Sequence, residues 1–290
     1  MVKGTGYIIL TIEATLEPDN KEIQKEHFIV VGDMHGRIGK IAKINDLAVR
    51  LGIKYVVQAG DFGLYWPGGQ CPVRKFFHKR EWTDKAYTKV EWHIVLGNHD
   101  VYPRYDFGDG TKVCNPYRNL FIYPRNATPI IAGHRFLCFG GAISSDAHER
   151  IENKSWWAAE GPSQAEYEKF LDLTEKETYD YVVTHDGPID FPYNVSMNPL
   201  HKPNRSTNEV SRFLQMALPG VNCSTWFFGH HHQLLLHKYH DMKIVCTGKH
   251  GDGVIVNGKA DINKLNFIHG NTNYYHRDIV EIKEEMERQL

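Results

Sequence analysis

Six short apolar runs, each ending in a glycine-rich or polar cluster, constrain this chain more than any other feature. They read HFIVVGDMHG from His27, KYVVQAGDFG from Lys54, EWHIVLGNHD from Glu91, RFLCFGGAIS from Arg135, YDYVVTHDGP from Tyr179 and TWFFGHHH from Thr225. Runs of this length, rich in Val, Ile and Phe, predict buried strands. Between the early runs lie helix-spaced segments, such as IGKIAKINDLAVRLG with apolar residues at Ile38, Ile41, Ile44, Leu47 and Val49. That alternation predicts an α/β layered core. The later runs LLLHKYHDMKIVCTG and GVIVNGK carry turns and no intervening helix, so hairpins are expected there, in a second and more antiparallel part of the sheet system. In the last segment, RDIVEIKEEMERQL, Ile279, Ile282 and Met286 fall at helical spacing, and an amphipathic helix is expected.

The 290 residues, 41% of them hydrophobic, suffice for a sizeable core. With no repeat or linker in view, residues 27–290 are expected to form one domain, preceded by an extension at 1–26. A formal net charge of -1 gives no global pull toward nucleic acid or anionic membrane. RKFFHKREW, from Arg74 to Trp82, reads as a solvated surface segment, with a phosphate-facing patch as the alternative. Cys71, Cys114, Cys138, Cys223 and Cys246 are widely spread and form no CxxC pair. Neither a disulfide framework nor a zinc ribbon is indicated, and a reducing cytoplasm is the expected compartment. No stretch reaches the length of a membrane span, and the N-terminal apolar run is broken by Thr11 and Glu13.

The strand ends supply, in order, Asp33 and His35, Asp61, the triplet Asn98-His99-Asp100, His185, and the histidines His230 to His232. Side chains at the carboxyl ends of neighbouring strands converge on one edge of a sheet. A glycine stands before the key residue in GDMHG, GDFG, GNHD and GHHH, where it allows a sharp turn and close approach to a ligand. Carboxylate, amide and imidazole donors without thiolates suit Mn²⁺, Fe or Zn²⁺ better than Ca²⁺ or Mg²⁺. There are too many for one ion; two ions about 3.5–4 Å apart, bridged by a carboxylate, would use them all. On an extended segment residues i and i+2 face one way, so His230 and His232 are expected at the metals and His231 as a bystander.

The series D-x-H, GD, GNHD, a strand-end His and GHxH, from about Phe28 to Gly248, resembles the calcineurin-like metallophosphoesterase superfamily. That resemblance implies two packed mixed β-sheets flanked by helices, a four-layer α/β/β/α sandwich, with a dinuclear metal centre at the sheet edge. It implies Asp33, His35 and His232 on the first metal, Asp61 as the bridging carboxylate, and Asn98, His185 and His230 on the second. His99 matches the phosphate-contacting proton donor, and Asp100 the acid that would orient it through its ring N–H. FGGAISSDAHERIENKSWWAAE, with Asp146, Arg150, Trp156, Trp157 and Glu160, together with GDFGLYW, is similar to a branch of bacterial and phage members. There the tryptophans read as core or lid packing rather than substrate stacking, and Arg150 as a phosphate clamp or as a partner of Asp146 or Glu160.

The second motif departs from the GDxxDRG of phosphoprotein phosphatases, so their phosphate-gripping arginine is missing from that place; Arg104 is a candidate to compensate. The expected activity is hydrolysis of phosphate esters with two divalent transition-metal ions, Mn²⁺ first and Fe or Zn²⁺ as alternatives. His99 and Asp100 are the expected catalytic residues, and Asn98, Arg104 and Arg150 the expected substrate contacts. The expected substrate is a phosphodiester in a nucleotide or short nucleic acid. A phosphomonoesterase or protein phosphatase, and a non-catalytic metal-binding scaffold, are the alternatives.

Overall fold

The computed structural model describes residues 25–65, 72–83, 89–193, 209–258, 265–272 and 280–284. Strands β1 (Phe28–Val31), β2 (Tyr55–Ala59), β3 (Glu91–Val95), β4 (Cys114–Tyr117), β5 (Leu120–Tyr123), β12 (Gly253–Val256) and β13 (Leu265–Ile268) form one sheet, in the order β13-β12-β1-β2-β3-β5-β4. Strands β6 (Ile130–Ile131), β7 (His134–Phe139), β8 (Tyr179–Thr184), β9 (Cys223–Phe228), β10 (Leu234–Tyr239) and β11 (Met242–Thr247) form the other, in the order β10-β11-β9-β8-β7-β6. Each sheet has a parallel centre, β1-β2-β3-β5 and β7-β8-β9-β11, with antiparallel strands at its margins.

Successive residues of a strand face opposite sides of the sheet, and here both sides are covered. Phe28, Val30, Val57, Ala59 and Val95 meet Phe136, Cys138, Tyr181, Val183, Phe227 and Val245 between the sheets. Ile29, Val31 and Val56 face the other way, onto α1 (Ile38–Leu51) and α2 (Pro72–Thr83). On the far side of the second sheet, Val182, Trp226 and Ile244 pack with Phe170 of α3 (Gln164–Lys176). Asp190–Tyr193 makes the short α4, and α5 (Glu209–Ala217) adds Val210 and Leu214 to that outer layer. The result is the four-layer α/β/β/α sandwich. Burial on both faces explains why the central strands read as unbroken apolar runs.

Helix α1 buries Ile41, Ile44 and Leu47, whereas Val49, on its other side, is 39% exposed. It stops at Gly52, whose φ of 74° suits the left-handed cap. Helix α3 begins with a capping box between Ser163 and Glu166, a start signal that periodicity alone does not reveal. The hairpin expected after the histidine run is β10-β11, but β11 lies parallel to β9. Gly253–Val256 does not join it. That strand crosses to the first sheet and pairs antiparallel with β1, where Val254 and Val256 fill the inter-sheet layer and Ile255 the helix side.

Of the expected C-terminal helix, residues 280–284 are helical and Ile282 packs on the first core; Ile279 and Met286 lie outside the described residues. Lys25 pairs with Asp180 at 2.8 Å, so the chain is already docked before β1. On α2, Arg74, Lys75, His78 and Lys79 are exposed while Phe77 is buried, as a solvated amphipathic face requires. The four described free cysteines form no disulfide.

Phe28 packs edge-on against Phe136 and Tyr181 and against the His134 ring. We expect Phe28→Ala to cost about 3–5 kcal/mol in urea denaturation. Met216→Ala, at a site 79% exposed, should stay within about 0.5 kcal/mol. Equal small effects would contradict the inter-sheet core.

Candidate metal centre

Five strand ends meet at one edge of the sandwich. Asp33 and His35 follow β1, Asp61 follows β2, Asn98 to Asp100 follow β3, His185 follows β8, and His230 to His232 follow β9. The loops are stitched to one another. The Asp61 carbonyl accepts from the N–H groups of Met34 and His35, and the His185 carbonyl from Gly229. Among the bonds that cross between the sheets, Asp33 Oδ1 accepts from the His230 N–H at 2.9 Å, and Nδ1 of His185 lies 2.8 Å from the Ala59 carbonyl. Two glycines leave the space for this closeness. A Cβ on Gly60 would stand 2.0 Å from Nδ1 of His185, and one on Gly97 2.2 Å from Oδ1 of Asp61.

Two groups of donors share Asp61. In the first, Nε2 of His232 lies 3.0 Å from Asp33 Oδ2 and 3.0 Å from Nε2 of His35, which is 3.9 Å from Asp61 Oδ2. In the second, Asn98 Oδ1 lies 2.9 Å from Nε2 of His185 and 3.1 Å from Nδ1 of His230, and Asp61 Oδ1 is 3.6 Å from Nε2 of His185. The His, Asp and Asn side chains named from the sequence as metal donors therefore come together, on both sides of one carboxylate.

The chemistry of these contacts tests whether cations fit. A carbonyl only accepts, so His185 must spend its Nδ1 proton on Ala59. In the neutral ring its Nε2 then points a lone pair at the Asn98 oxygen. Fixing one ring nitrogen on a backbone carbonyl is the usual second partner of a metal-bound histidine. Asp33 Oδ2 is buried with no aligned hydrogen-bond donor. Lone pairs facing one another in a buried site call for positive charge, and the residues present fit divalent metal ions. Three clusters among the described residues have the spacing to hold one: Asp33-His35-His232, His35-Asp61-His99 and Asp33-Asp61-His185.

The carboxylates feel that environment differently. Burial opposes ionisation of Asp33, but the approach of His232 and His35 outweighs it and holds the carboxyl well below its ordinary range. Burial, then the negative charges of Asp33 and Asp100, push Asp61 well above it. Backbone strain is concentrated here too. His35, Asp61, His230, His232 and His250 all have φ between 46° and 62°, a left-handed conformation that costs side-chain-bearing residues of order 1 kcal/mol or more each.

That strain changes the explanation of the histidine run. Strand β9 ends at Phe228, and His230 and His232 reach the centre from left-handed conformations (φ 62° and 57°), not by alternation along an extended strand. His231 is in neither donor group, but it is not idle: Nε2 lies 2.9 Å from Oδ1 of Asp186, which is wholly buried in the loop after His185. Asp100 also differs from expectation. Its carboxylate accepts from the N–H groups of Gly97, Phe62 and Gly63 at 2.9, 3.3 and 2.9 Å. It clamps the β2 and β3 loops together, a role that was not expected of it.

His99 instead meets Arg150, whose Nη2 lies 3.1 and 3.4 Å from the two ring nitrogens. One atom so nearly equidistant from both sits across the ring edge or face and can donate to only one nitrogen. Burial, then the Arg150 charge, push the imidazolium down to about 4. Arg150 is also held by Asp146 at 2.7 Å. Arg104 is exposed on the turn Tyr102–Arg104 and makes no side-chain hydrogen bond or ion pair among the described residues. Trp156 and Trp157 are half-buried and belong to none of the three cores. Three residues near the centre were not expected from the sequence: Ser144, Asp186 and His250, whose ring is 5.8 Å from that of His35. His250 follows Gly248 at the end of β11, the same strand-glycine-ligand signal that marked the others.

A two-sheet sandwich with this donor set at the carboxyl edge of its strands defines a metallophosphoesterase architecture. The sequence profile of the calcineurin-like phosphoesterase family matches residues 26–234, and the chain belongs to that family. Among solved structures it is similar to TT1561 of Thermus thermophilus, at 12% identity and a TM-score of 0.50, over 86% of this chain and 100% of that one. It is also similar to GAP50, the anchor in the inner membrane complex of Plasmodium (13% identity, TM-score 0.49, 90% of this chain and 94% of that one). A third is a novel archaeal phosphodiesterase (12%, 0.40, 83% and 98%). Likeness at such identity speaks to the fold alone. Among curated protein sequences, none matches this chain.

The histidine run gives a direct check. We expect His230→Ala and His232→Ala each to lose bound Mn²⁺ in elemental analysis. His231→Ala should keep it, yet lose about 1–3 kcal/mol of stability, because buried Asp186 is left short of a partner. Metal loss in His231→Ala as large as in its neighbours would contradict this division of roles.

Proposed function

We propose that the chain is a hydrolase of phosphate esters that works with two divalent transition-metal ions, Mn²⁺ first. The observation that carries this reading is the pair of lone-pair clusters sharing Asp61, with His99 beside them. On this reading Asp33, His35 and His232 hold one ion, Asn98, His185 and His230 the other, and Asp61 bridges. Bound there, the ions would supply Lewis-acid charge against the phosphoryl oxygens and lower the pKa of a nearby water. The protein's own part is positioning. Asp100 fixes the loop that carries Asn98 and His99, and the Asp33 and His185 bonds hold the two sheets' donors in register.

The substrate we favour is a phosphodiester in a nucleotide or short nucleic acid. A diester carries one negative charge at its phosphate and a monoester approaches two. The cation beside His99 is Arg150, already paired with Asp146, which supports the less charged substrate. Arg150 contacts the phosphate in this proposal, and exposed Arg104 remains available to a longer substrate. We also read residues 27–290 as one domain, since β13, far along the chain, completes the sheet that β1 begins. No described helix is long and apolar enough to cross a membrane. The four described cysteines are unpaired, which supports a cytoplasmic setting.

His99 admits two roles. As a general acid it would protonate the leaving oxygen, its proton affinity raised by the anionic phosphate. In the second role a neutral imidazole binds phosphate through its N–H; burial and the Arg150 charge push its pKa down to about 4 before any phosphate is bound. Positioned proton transfer is worth about 10²–10⁴-fold on a poor leaving group and little on a nitrophenolate. We expect His99→Ala, with both metals bound, to lose that factor on a ribonucleotide diester and far less on a nitrophenyl diester. Equal losses on both would assign it to binding. No loss on either would remove it from the mechanism.

A further inference from the structure

An amide's two ends are alike in shape, yet Asn98 can serve a metal only through its carbonyl oxygen. What decides which end faces the cluster lies behind it. Asn98 Nδ2 is 2.8 Å from Ser144 Oγ, Ser144 Oγ is 2.8 Å from Glu160 Oε2, and the Ser144 backbone N is 2.6 Å from Glu160 Oε1. All three residues are buried, at 5%, 4% and 1% exposure, so water does not compete for these bonds.

The direction of the chain follows from the proton inventory. A carboxylate accepts and does not donate. The Ser144 N–H occupies Oε1, and the hydroxyl must spend its single proton on Oε2. The hydroxyl oxygen is then left to accept, and the Asn98 NH₂ is the donor aimed at it. The Asn98 oxygen is thereby turned toward His185 and His230. Glu160 is itself held rigidly. Nη2 of Arg125 donates to the Ala159 and Glu160 carbonyls at 2.8 Å, and Nε donates to the Gly140 carbonyl at 2.7 Å, beyond the end of β7.

We propose that Glu160, acting through Ser144, is a positioning residue that fixes the Asn98 carbonyl toward the second metal. The proposal rests on the dinuclear reading above. Outer partners that orient metal ligands are typically worth 10–100-fold in metal affinity.

The test is Mn²⁺ binding by calorimetry on the full chain, with thermal melts as a control for folding. Glu160→Gln nearly preserves shape but reverses the relay. The Ser144 N–H still requires the glutamine oxygen, so the new NH₂ must face the hydroxyl. The hydroxyl proton then turns to Asn98 and attracts its oxygen away from the cluster. We expect wild type to bind two ions, and E160Q to bind one as wild type does while the other weakens about 10–100-fold. Ser144→Ala, which cuts the relay, should weaken the same ion, and adding E160Q to it should bring no further loss.

Wild-type affinity for both ions in E160Q would overturn the proposal, as would losses that multiply in the double variant. Should E160Q fail to fold, Ser144→Ala decides alone: two ions bound as in wild type would overturn it. Fewer than two ions in wild type would overturn the dinuclear reading itself, and this inference with it.

Discussion

The structure depends on one constraint: two parallel-centred sheets packed face to face, with the strands that carry the donors ending at the same edge. The packing is apolar and two-sided, through Phe28, Val30, Phe136, Tyr181, Val183 and Phe227 between the sheets. It brings the loops after β1, β2, β3, β8 and β9 within hydrogen-bonding reach, so polar groups from distant parts of the chain can be fixed against one another. Hydrophobic burial is non-directional; the directional work falls to a few buried bonds. Asp33 accepting from the His230 N–H, and His185 donating to the Ala59 carbonyl, hold the edge together across the gap.

The protein's own groups leave that edge strained and electrostatically unbalanced. Left-handed backbone at His35, Asp61, His230 and His232 is tolerated because the scaffold around it is over-determined. Asp33 and Asp61 stand close enough that their charges oppose each other. Imidazole nitrogens face carboxylate or amide oxygens at 2.9–3.1 Å, and a neutral His185 that donates to Ala59 has no proton left on its facing nitrogen. Cations between these groups would relieve both the like-charge repulsion and the lone-pair contacts.

Much of this was legible in the sequence, and the failures are informative. The strand-end positions of Asp33, Asp61, Asn98 and His185 follow from the apolar runs, because a strand buried on both faces must end where polar residues begin. The roles of neighbours were not legible. His230 and His232 converge as expected, but by left-handed turns that no alternation rule anticipates. Asp100 looks from its motif like a partner for His99, yet three backbone N–H groups claim its carboxylate. Those donors come from two separate loops, so their competition is a tertiary fact. The transfer of Gly253–Val256 to the first sheet is another, since a short apolar run carries no mark of which sheet it will complete. Ser144 and Glu160 are 16 residues apart and meet Asn98 only after folding.

In the proposed centre Asp61 lies between two cations at close range. Electron paramagnetic resonance of the Mn²⁺-loaded protein tests it most directly, because two Mn²⁺ ions sharing a carboxylate are exchange-coupled and isolated ions are not. A coupled-pair spectrum is expected in wild type, collapsing to the signal of an isolated ion when Asp61→Ala removes the bridge. An uncoupled spectrum in wild type at saturating Mn²⁺, or a coupled one that survives Asp61→Ala, would contradict it.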